Sequence, residues 1–226
     1  MKNFKNEEDI VYMKKLILAL DVYDLKKAGQ IIEYTGEYVD IFKVGPILFL
    51  QSGKDIIKMI KDSGKEVFLD MKFHDIPATV KRSVESAREL GVYSLTLHST
   101  GGEEMLKAAA SVENRPKLWA VTVLTSQAAD PEEVIKRAKF AKSCGVDGVI
   151  SSPLEISVIK KECGKDFEVV TPGIRPAKTD DDQKRVASPE SAVKDGADFI
   201  VIGRPVIEAQ DPAEAAKNIY ESIKGL

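Results

Sequence analysis

Five stretches of the chain repeat one pattern: a polar, helix-like end, a glycine, then a short apolar or β-branched run. They read DSGKEVFLD, ELGVYSLTLH, SCGVDGVIS, ECGKDFEVVTPG and KDGADFIVIG, with Gly64, Gly91, Gly145, Gly164 and Gly196 at the switch. A glycine there suits the left-handed residue that closes a helix, where any side chain is penalised. The runs that follow are continuous in apolar character, as in strands covered on both faces. LILAL at 16–20, DIFKVG at 40–45 and LWAVTVL at 118–124 bring the strands to eight. Helical periodicity supplies eight helices between and after them, in QIIEYTGEY, KDIIKMIKD, TVKRSVESAREL, EEMLKAAASV, EEVIKRAKFAK, LEISVIKKE, SPESAVKD and PAEAAKNIYESI. Ser188 before Pro189, and Asp211 before Pro212 with Glu214 three residues on, mark two helix starts.

Strict alternation of strand and helix predicts an α/β fold, a closed (β/α)8 barrel of the TIM type, rather than an open doubly wound sheet. The barrel is expected as a single domain over 16–226, with 1–15 as an N-terminal extension. The polar stretch IRPAKTDDDQKRV, 174–186, reads as a functional loop between a strand and its helix.

Composition narrows the classes. Hydrophobic residues at 43% and charged residues at 31% mark a globular chain able to bury a core. Lys plus Arg number 33 against 36 Asp plus Glu, a formal charge of −3, so no global field draws nucleic acid or anionic membrane. Any phosphate recognition must be local. The start, MKNFKNEEDIVYM, has no apolar core of a signal peptide, and no window approaches a membrane span. Cys144 and Cys163 each precede a glycine without metal-ligand partners at suitable spacing, and read as buried reduced thiols. These features predict a cytoplasmic protein with no metal site.

In such a barrel the chemistry sits where strands end and the following loops begin. The strand ends carry Asp21, Lys43, then Asp70 and Lys72 with Asp75 just beyond, and later His98, Thr125 with Ser126, TPGIRP, and Gly203 with Arg204. Side chains alternate along a strand, so Phe68, Asp70 and Lys72 share one face while Val67, Leu69 and Met71 share the other. The apolar face packs on helices, which turns Asp70 and Lys72 inward, and the same parity turns Lys43 inward on the neighbouring strand. A lone charge there costs several kcal/mol, on the order of the penalty for an unpaired buried ion, whereas alternating Lys and Asp neutralise one another. Asp21 is equally suited to cap a helix. FIVIGRP runs straight from apolar residues into glycine and arginine, at the place where barrels commonly bind phosphate.

These residues resemble the orotidine 5′-monophosphate decarboxylase family, from LILALDV at 16 through GRPVIEAQDP ending at 212. FLDMKFHDIPATV is similar to the family's Asp-x-Lys-x-x-Asp signature, and AVTVLTS, VVTPGIRP, DDQKRV and VIGRP follow in the expected order. Ala78, Gln127 and the HSTGG at 98–102 depart from the common bacterial pattern, and none removes a charged group. The resemblance implies a cofactor-free homodimeric barrel that converts orotidine 5′-monophosphate, a small nucleotide, into UMP and carbon dioxide in pyrimidine biosynthesis. It implies that Lys72 protonates C6 of the pyrimidine and that Asp70 stands beside the scissile carboxylate. Asp75 and Thr79 are implied to reach the partner subunit's site, and Ile76 to belong to the substrate-binding set. Lys43 and Asp21 match ribose-contacting positions, with Lys43 completing the charge chain, and Thr125 matches a base-contacting hydroxyl. Arg175, Gln183, Gly203 and Arg204 correspond to the phosphate end. His74 is expected to be structural, since Lys72 already supplies a proton, and His98, at a strand end, is expected to line the pocket without a catalytic role.

Two other functions share parts of this pattern. A magnesium-dependent sugar-phosphate decarboxylase or aldolase of the same superfamily carries an acidic residue on the second strand, where this chain has Lys43. A silent nucleotide-binding barrel has no need of Asp70 beside an anionic ligand.

Overall fold

The computed structural model describes residues 16–125, 127, 130–176 and 186–226. The expected N-terminal extension, Gln183 and most of the 174–186 stretch lie outside the described residues. Eight strands pair in chain order, all parallel, and the eighth closes onto the first. They are β1 (Leu16–Ala19), β2 (Ile41–Val44), β3 (Glu66–Phe73), β4 (Ser94–His98), β5 (Lys117–Val121), β6 (Gly148–Ile150), β7 (Glu168–Thr171) and β8 (Phe199–Ile202). The (β/α)8 barrel predicted from the alternation is therefore the fold.

Outside the strands lie α1 (Leu25–Thr35), α2 (Pro46–Ser52), α3 (Lys54–Asp62), α4 (Pro77–Glu89), α5 (Gly102–Ala110), α6 (Pro131–Ser143), α7 (Ile156–Cys163), α8 (Pro189–Lys194), α9 (Arg204–Ile207) and α10 (Pro212–Ile223). All eight predicted helices are present, and α2 and α9 are additions. Both start with proline in the first turn, where its missing N–H costs nothing. The helix-closing glycines behave as the sequence predicts, with φ of +74° at Gly64 and +104° at Gly196. Ser188 and Asp211 cap α8 and α10, accepting from Ser191 N at 3.1 Å and Glu214 N at 3.0 Å. Helix α1 begins five residues before the periodic stretch, because Asp24 caps it by accepting from Lys26 N at 2.6 Å.

Alternation along the strands divides the apolar residues into two layers. Leu16, Leu18, Phe42, Val67, Leu69 and Leu95 face the helices. Ile17, Ile41, Phe68, Trp119, Val170 and Phe199 fill the barrel. Trp119, fully buried, is the central plug, with its ring 4.7 Å from Phe68 and 5.5 Å from Phe199, centroid to centroid. Its indole Nε1–H donates to Glu168 Oε2 at 2.7 Å, and Lys117 holds the other oxygen at 2.5 Å. Gly148 pairs with Trp119, and a Cβ there would stand 2.3 Å from the Glu168 carbonyl oxygen. This plug fills the barrel interior, and the cavity lies toward the carboxyl ends of the strands. Cys144 and Cys163 are buried free thiols, as the sequence predicts.

Candidate active site

The cavity at the carboxyl end has a volume of about 220 Å³, room for about seven waters at roughly 30 Å³ each. Asp21, Lys43, Asp70 and Lys72 line it together with Arg175, Gly203, Arg204 and Thr125. Val121, Leu124, Ile150 and Val201 supply apolar wall between them. A planar ring entering this space displaces most of that water and strengthens every charge interaction left inside.

The charges form a row that alternates in sign. Lys43 Nζ is 3.0 Å from Asp21 Oδ1 and 3.6 Å from Asp70 Oδ2, and Lys72 Nζ is 2.7 Å from the same Asp70 oxygen. β1, β2 and β3 are consecutive in the barrel, and Ala19 pairs with Lys43 as Lys43 pairs with Phe68, so the three ends are brought level by register. Asp70 is the anchor, only 8% exposed. Burial alone raises a carboxyl pKa, but the charges of Lys43 and Lys72 and hydrogen bonds from Lys72 and Thr96 outweigh it and hold Asp70 below its ordinary value. The aspartate is ionised at neutral pH, and the row keeps its alternation.

Two features of this row differ from the sequence reading. Asp21, expected as a ribose contact or a helix cap, joins the row, so the alternating charges come from three strand ends. The chain turns away after Phe73, and the Asp75 carboxylate accepts from the N–H of Ile76 at 2.7 Å, on the exposed surface. Ile76 and Thr79 are exposed beside it and likewise stand outside the cavity wall. Asp21 does not cap α1, a role Asp24 fills. The second difference is in the backbone. Lys72 faces inward as alternation predicts, but with φ +50°, a left-handed conformation, where the register of β3 against β4 shifts between Leu69 and Phe73.

Thr96 is the residue the sequence reading missed. Its Oγ1 donates to Asp70 Oδ1 at 2.8 Å and accepts from the backbone N–H of Lys72 at 2.9 Å. The available signal was the alternation in SLTLH, which puts Ser94, Thr96 and His98 on the inward face while Leu95 and Leu97 pack on helices.

Also lining the cavity, Gly173 turns the chain after β7 with φ +79°, and Arg175 follows, 8% exposed. Its backbone N–H donates to Ala187 O at 3.0 Å and its guanidinium to Ile174 O at 3.0 Å, which fixes the root of the loop. Gly203 and Arg204 continue directly from β8 into α9. A Cβ at Gly203 would stand 3.7 Å from Asp21 Oδ2, which places the end of β8 beside that carboxylate. His98 is half-buried with its ring 5.6 Å from that of His74, and neither lines the cavity. Burial, then His74, Lys72 and Arg137, push the His98 pKa down, so it is neutral at pH 7.

A parallel barrel whose carboxyl-end mouth is lined by paired lysines and aspartates and by arginines has the form of an enzyme-class barrel. The family model described as "Orotidine 5'-phosphate decarboxylase / HUMPS family" matches residues 14–219, and the chain belongs to that family. It is 46% identical over 231 residues to the orotidine 5′-phosphate decarboxylase of Citrifermentans bemidjiense, covering 93% of this chain and 96% of the relative. Identity to the Haemophilus ducreyi orotidine 5′-phosphate decarboxylase is 42%, over 92% of this chain and 98% of that one. The crystal structure of the Lactobacillus acidophilus orotidine 5′-phosphate decarboxylase superimposes with a TM-score of 0.82 at 36% identity, over 94% of this chain and all of that one.

Proposed function

We propose that this chain is a carboxy-lyase that converts orotidine 5′-monophosphate to UMP and carbon dioxide in pyrimidine biosynthesis, without a cofactor. The observation that carries the reading is the row Asp21–Lys43–Asp70–Lys72 lining one cavity together with Arg204. In the proposed step the bond from C6 to the carboxylate breaks and its electron pair stays on C6. No carbonyl is placed to delocalise that pair, so an ammonium aimed at the carbon is the stabiliser required. Lys72 supplies the ammonium and then transfers its proton to C6, regaining one from water. Asp70 faces the substrate carboxylate as a like charge, a repulsion that ends when neutral carbon dioxide leaves.

One charge pair at about 4 Å and an effective dielectric near 20 is worth about 4 kcal/mol. Enzymatic accelerations call for about 8–23 kcal/mol, so the row needs help. Binding of the remote phosphate by Arg204, Arg175 and the backbone at Gly203, with Gln183 from the intervening loop, is the proposed supplement, holding the ring against the charges. Asp21 and Lys43 would hold the ribose and Thr125 the base.

Asp75, Ile76 and Thr79 are proposed to act in the site of a second copy in a homodimer. Their exposed position supports this, with Ile76 at 66% and Leu50 of α2 at 81% exposed. Light scattering should then give twice the chain mass. Two buried free thiols suit a reducing, cytoplasmic setting, and among the described residues no helix is long and apolar enough to cross a membrane. The first residues, 1–15, are proposed to be an extension outside the barrel domain.

The magnesium-dependent alternative within the family is opposed by Lys43. Its ammonium lies between Asp21 and Asp70, where those carboxylates would otherwise hold a divalent cation. The test is to mix the protein with orotidine 5′-monophosphate and follow its ultraviolet absorbance, with and without EDTA. Loss of absorbance in both arms is expected. No loss in either would overturn the decarboxylase reading, and loss abolished by EDTA would favour the metal-dependent chemistry.

A further inference from the structure

We infer that Thr96 is a positioning residue for the reaction, a hydroxyl that sets the carboxylate of Asp70 and the backbone of Lys72 in one fixed relation. The inference rests on the decarboxylase reading above. Thr96 is completely buried and does not line the cavity, so it has no route to the substrate itself. It acts through the two residues it touches.

A hydroxyl has one proton and two lone pairs. Here the proton goes to Asp70 Oδ1 at 2.8 Å and a lone pair receives the Lys72 N–H at 2.9 Å. The Asp70 oxygens are thereby given separate duties. Oδ1 is held by Thr96 at the rear, and Oδ2 faces both ammonium groups, 2.7 Å from Lys72 and 3.6 Å from Lys43. Without the hydroxyl the carboxylate is held from the lysine side alone, and Oδ1 loses the contact that fixes which oxygen faces the lysines.

The backbone shows the same dependence. Lys72 and Asn114 are the two non-glycine residues with positive φ among those described, and Lys72 is the one inside a strand. A left-handed conformation there is strained for a residue with a side chain and persists only where the surroundings hold it. The β3–β4 register breaks between Leu69 and Phe73, and it is the Thr96 side chain that receives the Lys72 amide at this break. The bulge, the strained lysine and the aimed carboxylate therefore share one support. Loss of the hydroxyl also removes one of the interactions that lower the Asp70 pKa, which gives the role a pH signature.

The test compares Thr96→Val, which keeps the shape, Thr96→Ser, which keeps the hydroxyl, and Thr96→Ala with the wild type on orotidine 5′-monophosphate across pH. Thr96→Val should lower kcat about 10- to 100-fold, the worth of a charge-assisted hydrogen bond, with KM changed less than about threefold. The acid limb of its kcat profile should move to higher pH. Thr96→Ser should stay within about threefold of the wild type with an unmoved limb. If Thr96→Val does not fold by circular dichroism, Thr96→Ala carries the same comparison against Thr96→Ser. A folded hydroxyl-free variant within twofold of wild-type kcat, or a serine variant as impaired as it, overturns the assignment. An inactive wild type would instead strike the decarboxylase reading, so the two failures are separable.

Discussion

Replacing Lys43 by methionine removes one charge and keeps most of the side-chain volume. The ammonium lies 3.0 Å from Asp21 and 3.6 Å from Asp70, with its own side chain 12% exposed. At an effective dielectric near 20, a unit pair at the longer separation is worth about 4–5 kcal/mol. Asp21, half exposed, is screened by water and contributes little of this. Asp70 is not, and losing Lys43 leaves its carboxylate held only by Lys72 and Thr96. Removing one partner of a buried pair typically costs about 3–5 kcal/mol, and the two remaining partners reduce that to about 1–3 kcal/mol of stability. The effect on catalysis is larger, because the Asp70 pKa rises and the alternation of charge fails at the reacting carboxylate. We expect kcat/KM to fall about 100- to 1000-fold at pH 7 and the acid limb of the pH profile to move upward. Steady-state ultraviolet assays with a thermal melt on the same sample measure both. A folded Lys43→Met variant losing less than about tenfold would refute the reasoning that this lysine sustains the row.

Arg204→Ala should cost about 100-fold or more in kcat/KM for orotidine 5′-monophosphate, while turnover of the phosphate-free nucleoside orotidine is equal in variant and wild type; equal losses on both substrates would place the arginine elsewhere than at the phosphate. Gly148→Ala puts a Cβ 2.3 Å from the Glu168 carbonyl oxygen, at the foot of the Trp119 plug. It should cost at least about 2 kcal/mol, a Tm drop of roughly 4–8 °C by calorimetry, and an unchanged Tm would contradict the packing described. Asp70 has a depressed folded pKa, so its contribution to stability is complete above the unfolded carboxylate value of about 4 and is lost as pH falls through the lower folded value. The Tm gap between wild type and Asp70→Asn should therefore stay constant from about pH 7 to about 5 and close below about 4. A gap closing between 7 and 5 would show that the lysines do not hold the charge.

The barrel was legible because its grammar is local. Each of Gly64, Gly91, Gly145, Gly164 and Gly196 closes a helix in a conformation that side chains resist, and each precedes a strand buried on both faces. Alternation then placed Phe68 in the barrel and Val67 and Leu69 under the helices, which sufficed to turn Asp70 and Lys72 inward. What the sequence hid depends on geometry between strands. Thr96 reads as an ordinary β-branched residue, and only the meeting of β3 with β4 shows its hydroxyl bridging two catalytic candidates. The left-handed Lys72 is equally silent, since nothing in its neighbours signals a bulge. Asp75 shares a short motif with Lys72, yet a turn after Phe73 carries it to the exposed surface of its own chain, while Asp21, distant in sequence, joins the row. Helix α2, PILFLQS, lacks the polar face by which a surface helix announces itself.

The central claim is that the Lys72 ammonium stabilises and protonates the carbon from which carbon dioxide departs. Measuring kcat of Lys72→Met alongside its affinity for UMP tests it most directly. The account predicts that UMP binding stays within about tenfold of wild type while kcat falls by about 10⁴-fold or more, since the group needed only at the transition state is gone. Turnover within about tenfold of wild type, in a variant that binds UMP normally, would contradict it.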